Sequence, residues 1–265
     1  MRTIGINFHA IKGLDDDAYA KTVRGLGFGA VFTATFDDPH RHEALAELFS
    51  KHGLQYETLH APFKNINYMW LDGEDGDAML RDLLTCIDHC VISGAGIAVV
   101  HLSSGLTPPP VTDIGRARFT ALVEYAQKKG VVVAFENQRF LSNIAWAFET
   151  FSEADSVGFC WDCGHEACFA RGREYMPLFG DRLVCTHIHD NFAKFNEDDH
   201  RIPFEGNINY SRFAEHLRKM NYRGSLMLEV GCTAKFTIGI DPIAYLEKAA
   251  SAAKKLRSMV DGESV

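Results

Sequence analysis

The regular alternation of short apolar runs with longer amphipathic segments constrains the fold of this chain most strongly. Eight runs rich in β-branched or aromatic residues predict strands: Thr3–Phe8, Ala30–Thr35, Tyr56–Leu59, Ile97–His101, Val131–Glu136, Val157–Trp161, Leu183–Ile188 and Leu226–Val230. Segments of helical periodicity follow them: Asp15–Gly25, His42–His52, Asp77–Gly94, Ile114–Lys129, Ile144–Glu153, Tyr175–Phe179, Tyr210–Asn221 and Pro242–Met259. Eight such pairs in 265 residues predict an α/β fold, a single (β/α)8 TIM barrel that forms one domain over residues 1–265.

A doubly wound open sheet is the main alternative for an α/β chain. It usually has fewer strands and often a glycine-rich nucleotide loop after the first one. No GxGxxG follows the first predicted strand, and GxxxxGK[ST] does not occur in the sequence. The barrel is therefore the favoured architecture, and its active site is expected at the C-terminal ends of the strands.

Charge and hydropathy restrict the setting and the partners. The formal net charge is −8, which gives no general attraction to nucleic acid or to anionic membranes. The apolar runs are too short to span a bilayer, and the N-terminus lacks the pattern of a signal peptide. We therefore expect a cytoplasmic protein with a small-molecule substrate, no nucleic-acid or membrane partner, and a possible homo-oligomeric state.

The seven cysteines are scattered and do not suggest a disulfide framework. Cys160 and Cys163 form a CxxC that encloses Asp162 at the end of a predicted strand. We interpret these two cysteines as packing residues rather than as a redox pair.

Histidines and carboxylates collect at the predicted strand ends. The third to eighth strands all finish in such residues: His60, His101, Glu136, Asp162, His165, His187, His189, Asp190 and Glu229. The long loop after the seventh strand adds Asp198 and His200. Because these strand ends meet at one face of a barrel, the sequence predicts a divalent-cation site there. Carboxylate ligands suit Mn or Mg, and sites that also contain imidazole ligands can bind Zn, Co or Fe.

The other polar and aromatic features permit more than one interpretation. Five histidines lie on helical or loop segments and are predicted to be surface residues: His40, His42, His52, His89 and His216. The stretch Asn65–Leu71 is either a lid over a small ligand or the packed part of a long loop. Lys64, Arg139 and Arg201 are candidate contacts for an anion.

Three segments carry a family resemblance: WDCGH from Trp161, HIHDN from His187, and DDHRIPFEGNI from Asp198. Together with the glutamates at the ends of strands five and eight, they make the chain resemble the xylose-isomerase-like TIM-barrel superfamily. That superfamily includes sugar isomerases and epimerases and the endonuclease IV type of DNA-repair enzyme. The resemblance runs from the first strand to the eighth.

The resemblance to the isomerases and epimerases implies one divalent metal (Mn, Zn, Co or Mg). Its ligands would be Glu136, Asp162, His187 and Glu229. The two glutamates would also serve as catalytic acid and base. His189 faces the same way as His187 on a strand and is the alternative ligand, while His165 would lie near a substrate oxygen.

The resemblance to the endonucleases implies up to three metals. A residue is present at every one of their nine ligand positions: His60, His101, Glu136, Asp162, His165, His187, Asp198, His200 and Glu229. Arg201 and His189 are further candidate contacts. The best-known ketohexose epimerases carry an Arg six residues after the strand-seven His and an acidic residue six after the strand-five Glu. Here those positions hold Ala193 (Phe195 if counted from His189) and Ser142, which predicts a different substrate.

Four functions remain open at this stage. The favoured one is a metal-dependent isomerase or epimerase of a sugar, sugar phosphate or polyol, working by proton transfer next to a polarised carbonyl. The second is a dehydratase of a cyclic polyol or keto-acid, which would begin with the same proton abstraction. The third is an endonuclease IV-like phosphodiesterase, against which the short, acidic strand-end loops argue. The fourth is a non-catalytic sugar- or metal-binding protein.

Overall fold

The eight predicted strands form one parallel sheet that curls into a barrel. The chain is described by a computed structural model over residues 1–231 and 240–262. The strands are β1 (Ile4–Asn7), β2 (Ala30–Ala34), β3 (Gln55–His60), β4 (Ile97–Val100), β5 (Val132–Glu136), β6 (Val157–Asp162), β7 (Leu183–His187) and β8 (Leu226–Leu228). Neighbours in sequence are neighbours in space, and β8 pairs in parallel with β1. The predicted (β/α)8 barrel is confirmed.

Backbone contacts of Ile188 join the last two strands. Its N–H donates to Met227 O at 2.9 Å, and its carbonyl accepts from Glu229 N at 2.9 Å. These two hydrogen bonds lie between β7 and β8, and they bring the strand ends that carry His187 and Glu229 side by side.

Helices cover the outside of the barrel and give the site its rigid frame. They are α1 (Asp16–Gly25), α2 (Pro39–His52), α3 (Glu74–Ser93), α4 (Asp113–Lys129), α5 (Leu141–Thr150), α6 (Cys163–Phe169), α7 (Met176–Phe179), α8 (Tyr210–Lys219) and α9 (Pro242–Asp261). Short 3-10 helices span Ile66–Trp70 and Gly180–Arg182. Asp and Thr side chains accept hydrogen bonds at several N-termini, as at Asp15 and Thr112. Gly53 and Gly130 end α2 and α4 in the left-handed conformation, with φ of 68° and 71°.

A small apolar layer fills the barrel directly beneath the strand-end residues. Val99, Ala134, Cys160 and Cys185 form one buried cluster. Each lies two residues before His101, Glu136, Asp162 or His187, so strand alternation places both sets on the inward face. The site is thereby supported by packed side chains and closed to solvent from below.

The cysteines are reduced throughout the part of the chain that the structure describes. Cys160 and Cys163 are buried and unbridged, as are the four other cysteines described, which agrees with their interpretation as packing residues. Within residues 1–231 and 240–262, no helix combines the length and apolar character that crossing a bilayer requires.

The surface prediction for the helix histidines is wrong for His42 and His89. Their exposed fractions are 0% and 3%, and their rings lie 4.6 Å apart between α2 and α3. His42 accepts from Phe36 N and contacts the Tyr56 hydroxyl at 3.2 Å. His52 and His216 are largely buried as well, and His40 alone of the five is well exposed. Periodicity marks helix faces, but it does not reveal polar partners that allow a histidine to be buried.

The stretch Asn65–Leu71 forms the packed part of its loop. Ile66, Met69 and Trp70 are buried, and the buried guanidinium of Arg118 in α4 donates to the carbonyls of Tyr68, Met69, Leu71 and Gly73. Five N–H donors on one rigid fork make Arg118 well suited to holding several carbonyls at once. The packing interpretation therefore accounts for most of this segment.

Candidate metal centre

The ends of strands β5 to β8 bring four predicted ligands together. Glu136, Asp162, His187 and Glu229 each offer a ligand atom, and these atoms all lie within 4.8 Å of one another. His187 Nδ1 lies 2.8 Å from Glu136 Oε1 and 2.9 Å from Glu229 Oε2. We call these four residues the central group.

Two histidines from β3 and β4 approach the other oxygen of Glu136. His101 Nε2 lies 2.5 Å from Glu136 Oε2, and His60 Nε2 lies 3.5 Å from the same atom. His60, His101 and Glu136 form a second possible ligand group. Glu136 thus belongs to both groups, with one oxygen facing each.

A third group is built mainly from α6 and the loop after β7. Asp198 Oδ2 lies 3.2 Å from the Nε2 atoms of both His165 and His200, and His189 completes the set. His189 Nε2 is also 3.1 Å from Asp162 Oδ1. The structure therefore places His187 in the central group and His189 in the third group.

Arg201 is placed differently from the other candidates. Its backbone pairs with Asp190, its Nε lies 3.3 Å from Asp199 Oδ2, and its guanidinium packs over the Phe192 ring. It borders neither of the two cavities at the barrel mouth that are described below. The ten other residues that the family resemblance assigns to the metal or the substrate all lie in the three groups.

The spacing of Asp162 and His165 has a simple local cause. Asp162 is the N-cap of α6, and its Oδ1 accepts from His165 N at 2.6 Å. Asn137 fixes the same strand end, because its side chain exchanges two hydrogen bonds with the Asp162 backbone, each of 2.8 Å. The sequence analysis missed α6, since seven residues offer too little periodicity to detect.

Asp190 organises the loop that supplies Asp198 and His200. Its buried carboxylate accepts from the backbone N–H groups of Phe204, Gly206 and Ile208. His200 adopts φ of 49°, a left-handed conformation that is uncommon for a non-glycine residue. Its Nδ1 lies 2.9 Å from Glu229 O. Asp190 thus acts on the site through the backbone rather than as a ligand.

Aromatic and amide side chains orient the imidazoles. Phe32 stacks on His187, and His200 stacks on His189 with ring centroids 4.0 Å apart. Gln138 Nε2 lies 3.2 Å from His101 Nε2 and 3.0 Å from His165 Nδ1. Sequence reasoning overlooked Phe32 and Gln138, although Gln138 follows Glu136 by two residues and so shares its direction.

Electrostatics favour charged carboxylates and added positive charge here. Burial opposes the ionisation of Glu136, but the neighbouring His187 and His101 imidazoles outweigh it and hold the Glu136 pKa well below its usual value. Burial likewise opposes protonation of His165, yet Asp162 and Asp198 raise its pKa to about 10. The same balance, with Asp198 as the main partner, raises the pKa of His200 to about 9. Protons on these imidazoles balance the carboxylate charge, and a bound cation would replace those protons.

The donor atoms fit a bound cation. Within the described residues, several buried ligand atoms lack a hydrogen-bond partner: Asp162 Oδ2, His187 Nε2, His189 Nδ1 and Asp198 Oδ1. Buried polar atoms without partners are costly, and bound ions are one way of satisfying them. A mixture of carboxylate and imidazole donors suits Zn, Mn, Co or Fe. Cys160 is a further donor near Glu136 and His187 that the sequence analysis left aside.

Two cavities open onto these groups at the barrel mouth. The smaller, of about 270 Å³, is bordered mainly by polar residues, including Ser104, Gln138, Arg139, Asp198 and His200. The larger, of about 400 Å³, is more apolar and includes Phe8, Phe32, Ala34, Ala61 and Pro62. His60, Phe63 and Glu229 border both cavities. The three groups are therefore reached through one polar and one less polar cavity.

The fold and the site together describe a TIM barrel with a candidate metal site, formed by carboxylate and imidazole side chains, at the C-terminal ends of its strands. The family model described as xylose isomerase-like TIM barrel matches residues 20–258, and the chain belongs to that family. Two curated relatives are an uncharacterised protein of Sinorhizobium fredii, 33% identical over 124 residues, and one of Methanocaldococcus jannaschii, 23% identical over 208 residues. The first match spans 46% of this chain and 38% of that protein, and the second spans 72% and 69%.

Solved structures show the same fold. The D-psicose 3-epimerase of Clostridium cellulolyticum, solved with D-tagatose, superposes with a TM-score of 0.78 at 15% identity over 98% of this chain and 99% of its own. A putative xylose isomerase of Rhodospirillum rubrum gives a TM-score of 0.78 at 17% identity over the full length of both chains. At these identities the likeness concerns the architecture.

Proposed function

We propose that this protein is a divalent-metal-dependent isomerase or epimerase of a carbohydrate-like substrate. The observation that carries the proposal is the position of Glu229, which borders both cavities while its Oε2 lies 2.9 Å from His187 Nδ1. A carboxylate that lies between a cavity and a group of candidate metal ligands is well placed to transfer a proton to or from a substrate bound in that cavity. The sugar epimerase of known structure with this fold supports the substrate class.

The central group would hold the cation through Glu136, Asp162, His187 and Glu229. A divalent cation there would polarise a substrate carbonyl oxygen and stabilise the negative charge that develops on it. Glu229, whose side chain is 17% exposed and borders both cavities, takes a proton from the carbon next to that carbonyl. The neighbouring His187 imidazole outweighs the opposing effect of burial and lowers the Glu229 pKa, so this carboxylate is ionised.

Glu136 is less accessible than Glu229. Its side chain is 0% exposed, against 17% for Glu229, and both its oxygens contact histidines. Epimerisation needs groups on two faces of the substrate, whereas isomerisation can return the proton through one base. Within the proposal, this asymmetry favours an aldose–ketose isomerisation in which Glu229 transfers the proton and Glu136 holds the cation.

The test follows proton exchange at carbon. Metal-loaded protein is incubated in D2O with aldoses, ketoses and their phosphates, and ¹H NMR records deuterium incorporation and product formation. We expect exchange and isomerisation with at least one compound, and a loss of at least 1,000-fold in Glu229→Gln. Glu197→Gln is the matched control, because Glu197 lies in the loop after β7 but is exposed and pairs with Lys194 of the same loop. Exchange that survives in Glu229→Gln would remove Glu229 from the proton-transfer role.

A second candidate function is hydrolysis of a phosphate ester. The sharing of Glu136 between two ligand groups, with a third group alongside, favours it, since such arrangements suit several cations acting on one phosphoryl group. Two measurements together distinguish these functions: elemental analysis of the purified protein, and an assay for cleavage of bis(p-nitrophenyl) phosphate. One metal per chain with no phosphodiester cleavage supports the isomerase, and three metals with cleavage supports the hydrolase.

A further inference from the structure

Arg139 occupies a distinctive position at the rim of the smaller cavity. Its Nε and Nη2 atoms donate to Asn196 Oδ1 at 3.0 and 2.8 Å. The guanidinium lies over the Phe169 ring, with Cζ 3.7 Å from the centroid, and Phe169 stacks in turn on His165. The guanidinium is thus held in place beside the third ligand group before any ligand arrives.

The Arg139 guanidinium forms no ion pair with a carboxylate in the part of the chain that the structure describes. Two other arginines, by comparison, form ion pairs: Arg118 with Asp77 and Arg212 with Glu174. Arg139 is half-buried, and among the described residues its guanidinium donates only to a neutral amide. Burial lowers the Arg139 pKa, and the nearby Cys168 and Asp198 side chains offset that effect only in part. Asn196 uses Nε and part of Nη2, which leaves Nη1 free to donate.

The three cations singled out as anion contacts from the sequence can now be separated. Arg201 lies outside both cavities and is engaged by Asp199. Lys64 borders the larger, more apolar cavity from an exposed position. Arg139 is the one lysine or arginine among the described residues that borders the polar cavity. A planar guanidinium with free donors matches the geometry of carboxylate and phosphate oxygens.

We propose that Arg139 binds an oxyanion of the substrate, so that the natural substrate is an anionic polyhydroxy compound, either a phosphate ester or a carboxylate. The inference rests on the proposed function for the identity of the reaction, but the anion site itself stands on Arg139. Asp198 and Glu229 border the same cavity, so their negative charge has to be offset, and the anion is expected to bind to the metal-loaded protein.

Calorimetric titration of the metal-loaded protein tests the anion site without measuring turnover. Inorganic phosphate and glycolate are titrated separately, which distinguishes a phosphate site from a carboxylate site. The variants are Arg139→Gln, Arg139→Lys and Arg171→Gln. Arg171 is the matched control, because it also packs on a phenylalanine, Phe195, but is exposed and borders neither cavity.

We expect one of the two anions to bind the wild type. Its affinity for Arg139→Gln should be at least tenfold lower, and its affinity for Arg171→Gln should be within twofold of that for the wild type. Arg139→Lys keeps the charge without the planar fork and should lie between. Should Arg139→Gln fail to fold, as judged by circular dichroism, Arg139→Lys decides. Equal affinity in wild type and in the decisive Arg139 variant, or no binding of either anion to wild type, overturns the proposal.

The outcome is independent of the isomerase assignment. Arg139-dependent anion binding without any sugar turnover would reject the proposed reaction and retain this site. Turnover of a neutral sugar with the same kcat/KM in wild type and Arg139→Gln would retain the reaction and reject the anionic substrate.

Discussion

The imidazole of His187 is stacked on the ring of Phe32, with ring centroids 4.7 Å apart and an interplanar angle of 17°. The contact joins β2 to β7 across the barrel interior and fixes the direction of Nδ1. Phe32→Leu keeps an apolar side chain but removes the stacking surface. We expect the affinity for Zn²⁺ or Mn²⁺ to fall about 10- to 100-fold, the range found when the residues that orient metal ligands are changed.

Calorimetric titration of the metal into the chelator-treated protein measures this effect. Phe119→Leu is the control, because Phe119 is equally buried but lies in α4, in the outer core. Both variants should lose similar stability, whereas only Phe32→Leu should bind the metal more weakly. Equal metal affinity in the two variants would show that the stack is a packing contact alone.

Metal loading should stabilise the fold. The central group holds buried carboxylates whose charge a cation balances, so the cation binds the folded chain far better than the unfolded one. At a free concentration 100 times Kd, the free energy of unfolding should rise by about 2.7 kcal/mol. For a chain of this size, that corresponds to a rise in Tm of roughly 5–10 °C.

Differential scanning calorimetry before and after chelation, with metal added back, measures the shift. Glu136→Gln should abolish most of it, because Glu136 belongs to two ligand groups, and Glu197→Gln should leave it intact. A Tm that does not respond to any divalent cation would contradict a structural role for metal.

A methyl group at Gly164 should disturb the third ligand group selectively. Gly164 lies in α6, and a Cβ added there would overlap the ring of His189. The imidazole would have to move from its position near Asp162 and Asp198. We expect Gly164→Ala to weaken metal binding at the third group by more than tenfold and to leave the central group nearly unchanged.

Metal content per chain and stepwise titration separate these two effects. Gly96→Ala is the control, because a methyl group added at Gly96 meets no atom within 4 Å. If Gly164→Ala removed every bound metal, the groups would form one interdependent site rather than separable ones.

The buried His42 should make the fold sensitive to acid. Burial, reinforced by the nearby His89, lowers the His42 pKa from 6.5 to about 4. The unfolded chain therefore binds a proton below pH 6.5 that the folded chain takes up only near pH 4. The contribution of His42 to stability is complete above pH 6.5 and is lost as the pH falls toward 4, by on the order of 3 kcal/mol.

Urea unfolding at several pH values between 7 and 4.5 tests this slope. His42→Gln retains an acceptor for Phe36 N but does not titrate, so its stability should decline less steeply than that of the wild type. His40→Gln serves as the comparison, since His40 is exposed at the start of the same helix. Parallel curves for the wild type and His42→Gln would exclude this origin of acid sensitivity.

The barrel and the location of its polar strand ends could be predicted from the sequence. Strand periodicity fixes which side chains face inward, and parallel strands in a barrel bring their C-terminal ends to one face. Asp162, His187 and Glu229 follow from those two rules. The division of the ligands into three groups could not be predicted, because it depends on the stagger between strands.

Loop and helix details lay beyond sequence reasoning for other reasons. The positions of Asp198 and His200 depend on left-handed residues and on backbone donors that Asp190 gathers, and neither leaves a periodic pattern. The burial of His42 and His89 depends on partners from other elements. His187 and His189 have the same strand parity, so only the three-dimensional arrangement assigns them to different groups.

The junction between β7 and β8 has a consequence for the lifetime of the closed barrel. His187 and Glu229 lie on opposite sides of this junction, next to the two backbone hydrogen bonds of Ile188. A cation bound by both side chains would cross-link the two strands, and the strands could not separate until the cation dissociated. The exchange rates of the Ile188 and Glu229 amide protons would then report how long the metal stays bound.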